Sequence, residues 1–181
     1  MEKEFLIQLP AWIEQMTADR NIFETLEDRM RFVIELSGRN IRERTGGPFG
    51  AAVFDENTDQ LVSVGVNLVA DSGLSVAHAE IAALSLAQKR IGSPRLKNCV
   101  LYSSCEPCAM CLGAIPWSGV CGLVYGASEA DARKIGFDEG DKPEQWPEKL
   151  QQKGIEVIRD VLRPEARQVL IDYKNMGGII Y

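Results

Sequence analysis

The sequence contains a single histidine, His78, among its 181 residues. A Ser-His-Asp triad, a Cys-His pair or a metal site with histidine ligands would have to use this residue. A site that needs several histidines is impossible. The single histidine therefore excludes most hydrolase and oxygenase mechanisms.

Basic charge is also scarce, because 20 Lys and Arg oppose 26 Asp and Glu, for a net charge of −6 and a sequence pI of about 4.9. Nucleic acids and anionic membranes bind mainly through Lys and Arg. The only basic cluster surrounds the end of a predicted helix, where the helix dipole favours cations. We therefore expect no nucleic-acid and no membrane partner, and we interpret this cluster as solvated surface: Lys89, Arg90, Arg95 and Lys97.

Long apolar runs are missing, since no stretch approaches the roughly 20 apolar residues of a membrane span. The first ten residues, MEKEFLIQLP, lack the basic start and apolar core of a signal peptide. We therefore expect a cytoplasmic protein. In a reducing compartment, the odd number of five cysteines favours metal binding or catalysis over a disulfide framework.

The rest of the composition is that of an ordinary globular protein, with 45% hydrophobic and 25% charged residues. No repeat, low-complexity tract or linker interrupts the chain, so we expect one domain over residues 1–181. Hydrophobic periodicity predicts helices over 25–44, 77–91, 108–117, 143–153 and 164–175, and strands over 49–54, 61–66, 99–103, 120–125 and 155–158. The first two strands form an antiparallel hairpin, and the later alternation implies parallel crossovers. The pattern predicts an α/β fold with helices on both sheet faces.

Two predicted helix starts carry metal-ligating residues. Cys108 and Cys111 are three residues apart, so both thiols lie on one helical face near the positive end of the helix dipole, which favours thiolates. His78 adds an imidazole from the other helix start. Three protein ligands of this kind are typical of catalytic zinc, which keeps its fourth position open.

Glu80 lies two residues after His78, better placed beside the metal than on it. A carboxylate there can accept a proton from water and pass it to a leaving amine. The combination of His-x-Glu with Pro-Cys-x-x-Cys is the signature of zinc nucleobase deaminases.

Three other interpretations of these cysteines remain. Cys105 or Cys99 could complete a structural zinc site, although such a site does not explain Glu80. The cysteine run also resembles a ferredoxin cluster motif, but Ile115 stands where the fourth cysteine would be. A redox Cys-x-x-Cys pair would leave the histidine and the glutamate without a role.

The sequence resembles the cytidine deaminase-like superfamily and, within it, most closely the bacterial guanine deaminases. The resemblance covers most of the chain and rests on residues 46–51 (GGPFGA), 77–81 (AHAEI), 104–115 (SCEPCAMCLGAI) and 135–140 (IGFDEG). It implies a three-layer α/β/α sandwich with a central five-stranded mixed sheet. It also implies Zn²⁺ as cofactor, held by His78, Cys108 and Cys111, and proton transfer by Glu80.

The resemblance implies further roles at the substrate. Asn67 hydrogen-bonds the base, Glu139 meets the purine amino edge, and Phe137 packs against the base. The C-terminal tail, residues 176–181, closes the active site of a homodimer, in some members by exchange between subunits. The remaining implied substrate contacts are Phe49, Ala79, Asp138, Trp117 and Tyr181, with a core position as the alternative for Trp117.

Guanine also fits this acidic segment on physical grounds. Its N1–H and 2-amino group are adjacent donors, which a carboxylate such as Glu139, with Asp138 or Asp141 nearby, can accept; adenine offers no such pair. The expected reaction is hydrolytic deamination of guanine to xanthine and ammonia, catalysed by Glu80 alone or by Glu80 with Glu139. Alternatives are the same chemistry on guanosine, ammeline, another aminotriazine or cytosine, or a noncatalytic zinc-binding scaffold. A tRNA adenosine substrate is disfavoured by the acidic charge.

Overall fold

The computed structural model describes residues 7–18 and 23–181. Its helices are α1 (Trp12–Thr17), α2 (Leu26–Arg42), α3 (Val69–Ser72), α4 (Ala79–Ile91), α5 (Ala109–Ser118), α6 (Glu129–Ile135), α7 (Trp146–Gln151) and α8 (Arg163–Asn175). Its strands are β1 (Gly50–Asp55), β2 (Leu61–Val66), β3 (Cys99–Cys105), β4 (Gly122–Ala127) and β5 (Glu156–Ile158). Within the described ranges, no helix is both long enough and apolar enough to span a lipid bilayer.

The five strands form one mixed sheet in the order β2-β1-β3-β4-β5. β1 is antiparallel to β2 and to β3, whereas β3, β4 and β5 run parallel. The predicted hairpin, the parallel crossovers and the five-stranded mixed sheet are therefore confirmed.

Side chains alternate between the two faces of this sheet, as strand geometry requires. In β1, Ala52 and Phe54 pack into one core cluster with α2, while Ala51 and Val53 pack into another with α4 and α5. Helices thus cover both faces, which confirms the three-layer α/β/α architecture.

Helix ends explain most of the differences from the predicted boundaries. The helix predicted over 25–44 is α2, and Thr25 is its N-cap, whose side chain accepts a hydrogen bond from the Asp28 backbone N–H. His78 and Cys108 are likewise N-caps with extended backbones, so α4 begins two residues and α5 one residue later than predicted. Both predicted metal-binding segments therefore place a ligand at the residue that enters a helix.

Sequence reasoning missed α1, α3 and α6, and it began β4 two residues early. The missed α6 begins with a capping box in which Ser128 and Asp131 bond each other's backbone N–H groups. This Ser-x-x-Asp spacing was a usable indication of the helix. Apolar periodicity did not reveal it because α6 has only seven residues.

Candidate active site

The three predicted metal ligands meet in the fold. The Sγ atoms of Cys108 and Cys111 lie 3.5 and 3.7 Å from Nδ1 of His78. All three ligand atoms lie within 4.8 Å of one another. Tetrahedral zinc with bonds of about 2.0 to 2.3 Å needs ligand atoms separated by roughly 3.3 to 3.8 Å. The geometry and the Cys₂His donor set therefore fit zinc.

Close packing of α4 on the sheet brings His78 to this position. A Cβ atom built on Gly65 of β2 would collide with the Ala79 carbonyl oxygen and crowd the Ala83 backbone nitrogen, at 2.6 Å. Glycine at this position lets the first turns of α4 lie directly on the strand. Cys108 and Cys111 lie at the start of α5, which follows the central strand β3 and packs on the same face of the sheet as α4.

The thiol and imidazole protons are redistributed within this cluster. The Cys111 thiol donates to the Cys108 sulfur, and this bond, with a further one from His78, lowers the pKa of Cys108 to about 4 against the opposing effect of burial. The same donation raises the pKa of Cys111. Hydrogen bonding to Cys108 and the charge of Glu80 raise the pKa of His78, although burial opposes this. The cluster thus already stabilises one thiolate, which is the form that binds a metal.

Glu80 is buried directly beside the cluster. Ser103 donates its hydroxyl to Oε1 at 3.2 Å, and the Cys111 thiol lies 3.5 Å from Oε2. Burial raises the pKa of Glu80, against the lowering effect of His78. A carboxylate with a raised pKa is a stronger base than an exposed one and can also return its proton.

A cavity of about 70 Å³ opens onto this cluster. Two edge-to-face ring contacts build its aromatic side: Phe137 lies 4.9 Å from Phe49 and 5.2 Å from Tyr181, measured between ring centroids. The lining residues come from the residue before β1, from both predicted metal-binding segments, from the loop after α6 and from the C-terminus: Phe49, His78, Glu80, Glu106, Cys108, Phe137, Asp138, Glu139 and Tyr181.

Glu139 lies in the loop between α6 and α7, here called the 136–145 loop, and is buried at 6% exposure. Its backbone carbonyl accepts a hydrogen bond from Ala109 N–H at 2.9 Å, which ties the loop to the residue after Cys108. Burial, followed by the negative charges of Cys108 and Glu80, raises the pKa of Glu139 to about 7.

Asn67 follows β2 and is almost fully buried. Its Oδ1 accepts from the Val69 N–H at 3.2 Å, and its backbone carbonyl accepts from Asn40 Nδ2 at 2.8 Å. Its own Nδ2 is buried and, among the described residues, has no hydrogen-bond partner. A buried amide N–H without an acceptor is costly, so this group is suited to donate to a bound molecule, but Asn67 itself is not among the residues that line the cavity.

Not every predicted substrate contact lines the cavity. Trp117 is 86% exposed and does not line the cavity, so neither the pocket nor the core position predicted for it holds in the single chain. It lies six residues after Cys111, and 600° of helical rotation turns it away from the face that carries the ligand. Ala79 is buried beside His78 and does not reach the cavity surface. Asp138 lines the cavity, yet its side chain is 87% exposed and accepts from the Gly140 N–H.

The other cysteines stay outside the metal cluster. Cys105 is buried, and its thiol points to the Ser128 carbonyl at 3.7 Å. Cys99 is buried in the core and Cys121 is half-buried. In the described part of the chain, only His78 joins Cys108 and Cys111, which argues against a four-cysteine cluster and against a fourth structural ligand.

Sequence reasoning assigned no role to Glu106 or Lys142. Glu106 lines the cavity, and Lys142 forms an ion pair with it at 2.7 Å. The position of Glu106 beside the Pro-Cys motif could have identified it. Lys142 has no comparable indication, because its partners lie 36 and 13 positions away in the chain.

Comparison with known proteins places these features in a family. Residues 23–127 match the model of the cytidine and deoxycytidylate deaminase zinc-binding region. A guanine deaminase of Bacillus subtilis is 37% identical over 123 residues, which cover 65% of this chain and 78% of the relative. A tRNA-specific adenosine deaminase of Haemophilus influenzae is 40% identical over 111 residues, covering 61% of this chain and 62% of that protein.

Similarity to a solved structure extends further along the chain. A guanine deaminase from Nitrosomonas europaea superposes with a TM-score of 0.91 at 40% identity, covering 97% of this chain and 98% of that one. The superposition therefore reaches beyond residue 127 into the part of the chain that supplies Phe137, Glu139 and Tyr181.

Proposed function

The chain belongs to the cytidine and deoxycytidylate deaminase zinc-binding family, and we propose that it is a zinc-dependent aminohydrolase that converts guanine and water into xanthine and ammonia. One observation carries the choice of guanine: the buried carboxylate of Glu139 lines the same small cavity as His78, Cys108 and Glu80. A small cavity that joins a metal cluster to a separate acceptor group matches the needs of this reaction.

His78, Cys108 and Cys111 hold the zinc ion. When bound, zinc acts as a Lewis acid that lowers the pKa of water toward ~7 and so supplies a nucleophile at neutral pH. Two thiolates and one neutral imidazole neutralise the charge of the ion.

Glu80 transfers protons. Its carboxylate accepts a proton from the attacking water, whose oxygen forms a bond to C2 of guanine. The proton then goes to the 2-amino nitrogen, the C2–N bond breaks and ammonia leaves. The Ser103 hydroxyl donates to this carboxylate and holds it in place for both transfers. Glu80 acts alone or together with Glu139, which lies close to the departing amino group.

Glu139 and Asn67 orient the base. The Glu139 carboxylate accepts from the N1–H and 2-amino donors of guanine, and the free Nδ2 of Asn67 donates to an acceptor of the base. Phe49, Phe137 and Tyr181 pack against the purine and exclude water. Asp138 shapes the loop that carries Glu139 through its hydrogen bond to Gly140.

The rival substrates are less compatible with the site. Guanosine needs room for ribose, which the C-terminal tail restricts because Tyr181 packs against Phe137 at the cavity. Ammeline and cytosine are smaller than guanine and leave part of the aromatic wall without contact. The net charge of −6 disfavours a tRNA substrate. A noncatalytic scaffold has no need of a buried Glu80 beside the ligands.

We extend the proposal to the organisation of the protein. Residues 1–181 act as one domain whose tail, residues 176–181, closes the active site, as the contact of Tyr181 with Phe137 supports. Trp117, Ile179 and Ile180 are 86%, 65% and 42% exposed, and covering such apolar surface favours a homodimer, with or without tail exchange. Its expected location is the cytoplasm. A molecular mass by light scattering that corresponds only to monomers would contradict the proposed homodimer.

Ammonia release by the zinc-loaded protein tests the function. Guanine, guanosine, cytosine, adenine and ammeline are assayed in parallel at equal concentration. We expect guanine to be turned over fastest. Preference for another amine would keep the zinc chemistry and refute the role of Glu139, whereas no release from any of the five would favour the scaffold.

A further inference from the structure

Lys142 carries a buried positive charge close to the active-site cavity. It lies in the 136–145 loop, three residues after Glu139, and its side chain is only 5% exposed. Burying a lysine is unfavourable unless its ammonium group is paired and hydrogen-bonded. The partners of this group therefore indicate what the residue does.

The ammonium group of Lys142 joins three segments of the chain. Nζ donates to Glu106 at the end of β3 and forms an ion pair with Glu129 in α6, each at 2.7 Å. It also donates to the Pro107 carbonyl at 3.2 Å, directly before Cys108. These three acceptors match the three N–H donors of an ammonium group. Hydrogen bonds to both carboxylates raise the pKa of Lys142 although burial opposes this, so the group is charged.

Glu106 links Lys142 to the wall of the cavity. Its Oε1 accepts from Lys142, its Oε2 accepts from the Glu129 backbone N–H at 3.2 Å, and the residue lines the cavity. Without Lys142, the side chains of Glu106 and Glu129, which are 12% and 27% exposed, would face each other as two anions without this cation. The loop would then lose one of its attachments to the segment that carries Cys108.

Further contacts hold the loop close to Glu139. Ala109 N–H donates to the Glu139 carbonyl at 2.9 Å, and Arg133 donates to the Gly140 carbonyl at 2.8 Å. A Cβ atom on Gly140 would lie 3.0 Å from the Ala109 Cβ, so the loop backbone packs directly on the start of α5. Lys142 is thus one of several attachments around Glu139. Of the two basic side chains involved, Lys142 is more deeply buried than Arg133.

We propose that Lys142 is a positioning residue for guanine deamination: by joining Glu106, Glu129 and the Pro107 carbonyl, it holds the loop that presents Glu139 to the substrate. This proposal rests on the proposed function. Lys142 does not line the cavity, so it acts through Glu139.

The test compares Lys142→Met with Lys142→Arg in steady-state assays on guanine, and Lys149→Met, an exposed lysine of α7, is the matched control. We expect Lys142→Met to lower kcat/KM about 10- to 100-fold, mainly through KM, because small displacements of a positioning group are costly. Zinc content should stay at the wild-type value. Lys142→Arg should recover part of the loss, and Lys149→Met should equal the wild type.

A double-mutant cycle separates positioning from general stability. If Lys142 acts through Glu139, then Lys142→Met should cost less than about 3-fold in a Glu139→Gln background. The same loss in both backgrounds, or wild-type kinetics of Lys142→Met, would overturn the proposal. If Lys142→Met does not fold, Lys142→Gln, which keeps a hydrogen-bond donor, replaces it under the same expectations. A wild-type protein inactive on guanine would instead refute the proposed function.

Discussion

The hydroxyl group of Tyr181 lies against the α-carbon of Gly47, in the space that a side chain at residue 47 would occupy. The same space borders Oδ1 of Asn67, which a Cβ atom on Gly47 would approach to 3.1 Å. Glycine at this position therefore allows the last residue of the chain to reach the segment that carries Asn67. Tyr181 also lines the cavity, so this contact lies at the edge of the candidate active site.

Gly47→Ala should displace Tyr181 and open the cavity. We expect kcat/KM for guanine to fall about 10-fold, since the aromatic wall loses one member. Removing the colliding hydroxyl in Gly47→Ala/Tyr181→Phe should restore part of the activity. Gly113→Ala is the matched control, because a Cβ atom on Gly113 meets nothing within 4 Å. Wild-type kinetics of Gly47→Ala would contradict closure by Tyr181.

Glu80→Gln should abolish proton transfer while leaving the metal site intact. A positioned acid–base group contributes about 10²- to 10⁴-fold, so we expect kcat to fall by at least about 100-fold. Zinc content is measured on the same preparation, and Glu148→Gln on the exposed face of α7 is the control. Full turnover by zinc-loaded Glu80→Gln would show that another group moves the proton.

We expect one zinc ion per chain, and we expect the cysteines to differ in whether their replacement removes it. Cys111→Ser and His78→Ala should lose zinc and activity, because each removes one of three ligands. Cys105→Ser should keep both, since its thiol bonds the Ser128 carbonyl and stays outside the cluster. Elemental analysis after chelation and dialysis checks this. Iron with inorganic sulfide in the protein would contradict the assignment.

Glu139 should make the metal-free protein less stable as pH rises. Burial raises the pKa of its carboxyl from 4.5 to about 7, so the folded state binds more protons than the unfolded state between these values. The free energy of unfolding then falls as pH increases from about 4.5 to about 7, by up to about 3 kcal/mol at about 1.4 kcal/mol per pKa unit.

Glu139→Gln should remove this part of the pH dependence, because the amide does not titrate. Urea unfolding of the chelator-treated proteins at several pH values between 5 and 8 gives the free energy of unfolding as a function of pH for the wild type and for Glu139→Gln. Identical slopes for the wild type and Glu139→Gln would mean that Glu139 ionises in the folded chain as it does in the unfolded one.

Asn67→Ala should separate substrate binding from stability. The variant removes an Nδ2 group that has no partner among the described residues, together with one hydrogen bond from Val69 N–H. We expect the free energy of unfolding to change by no more than about 1 kcal/mol, while KM for guanine rises at least about 10-fold. A large loss of stability with unchanged KM would make Asn67 a structural residue.

Much of the site follows from local sequence. The spacing of Cys108 and Cys111 puts both on one face of a helix start wherever that helix lies, and the deaminase motif associates them with His78 and Glu80. The continuous apolar run of β1 is likewise that of a strand covered on both faces. The short helices α1, α3 and α6 were not predicted, because a segment of one or two turns shows little hydrophobic periodicity.

The sequence by itself determined the class of fold, the candidate metal ligands and the kind of chemistry, because these follow from periodicity within segments and from the combination of two short motifs. Tertiary structure alone decided that Trp117 faces solvent, that Tyr181 reaches Gly47, and that Lys142 is buried between Glu106 and Glu129. Each of these relationships joins segments far apart in the chain or depends on which helix face the sheet covers. Packing creates such contacts, and no local pattern encodes them.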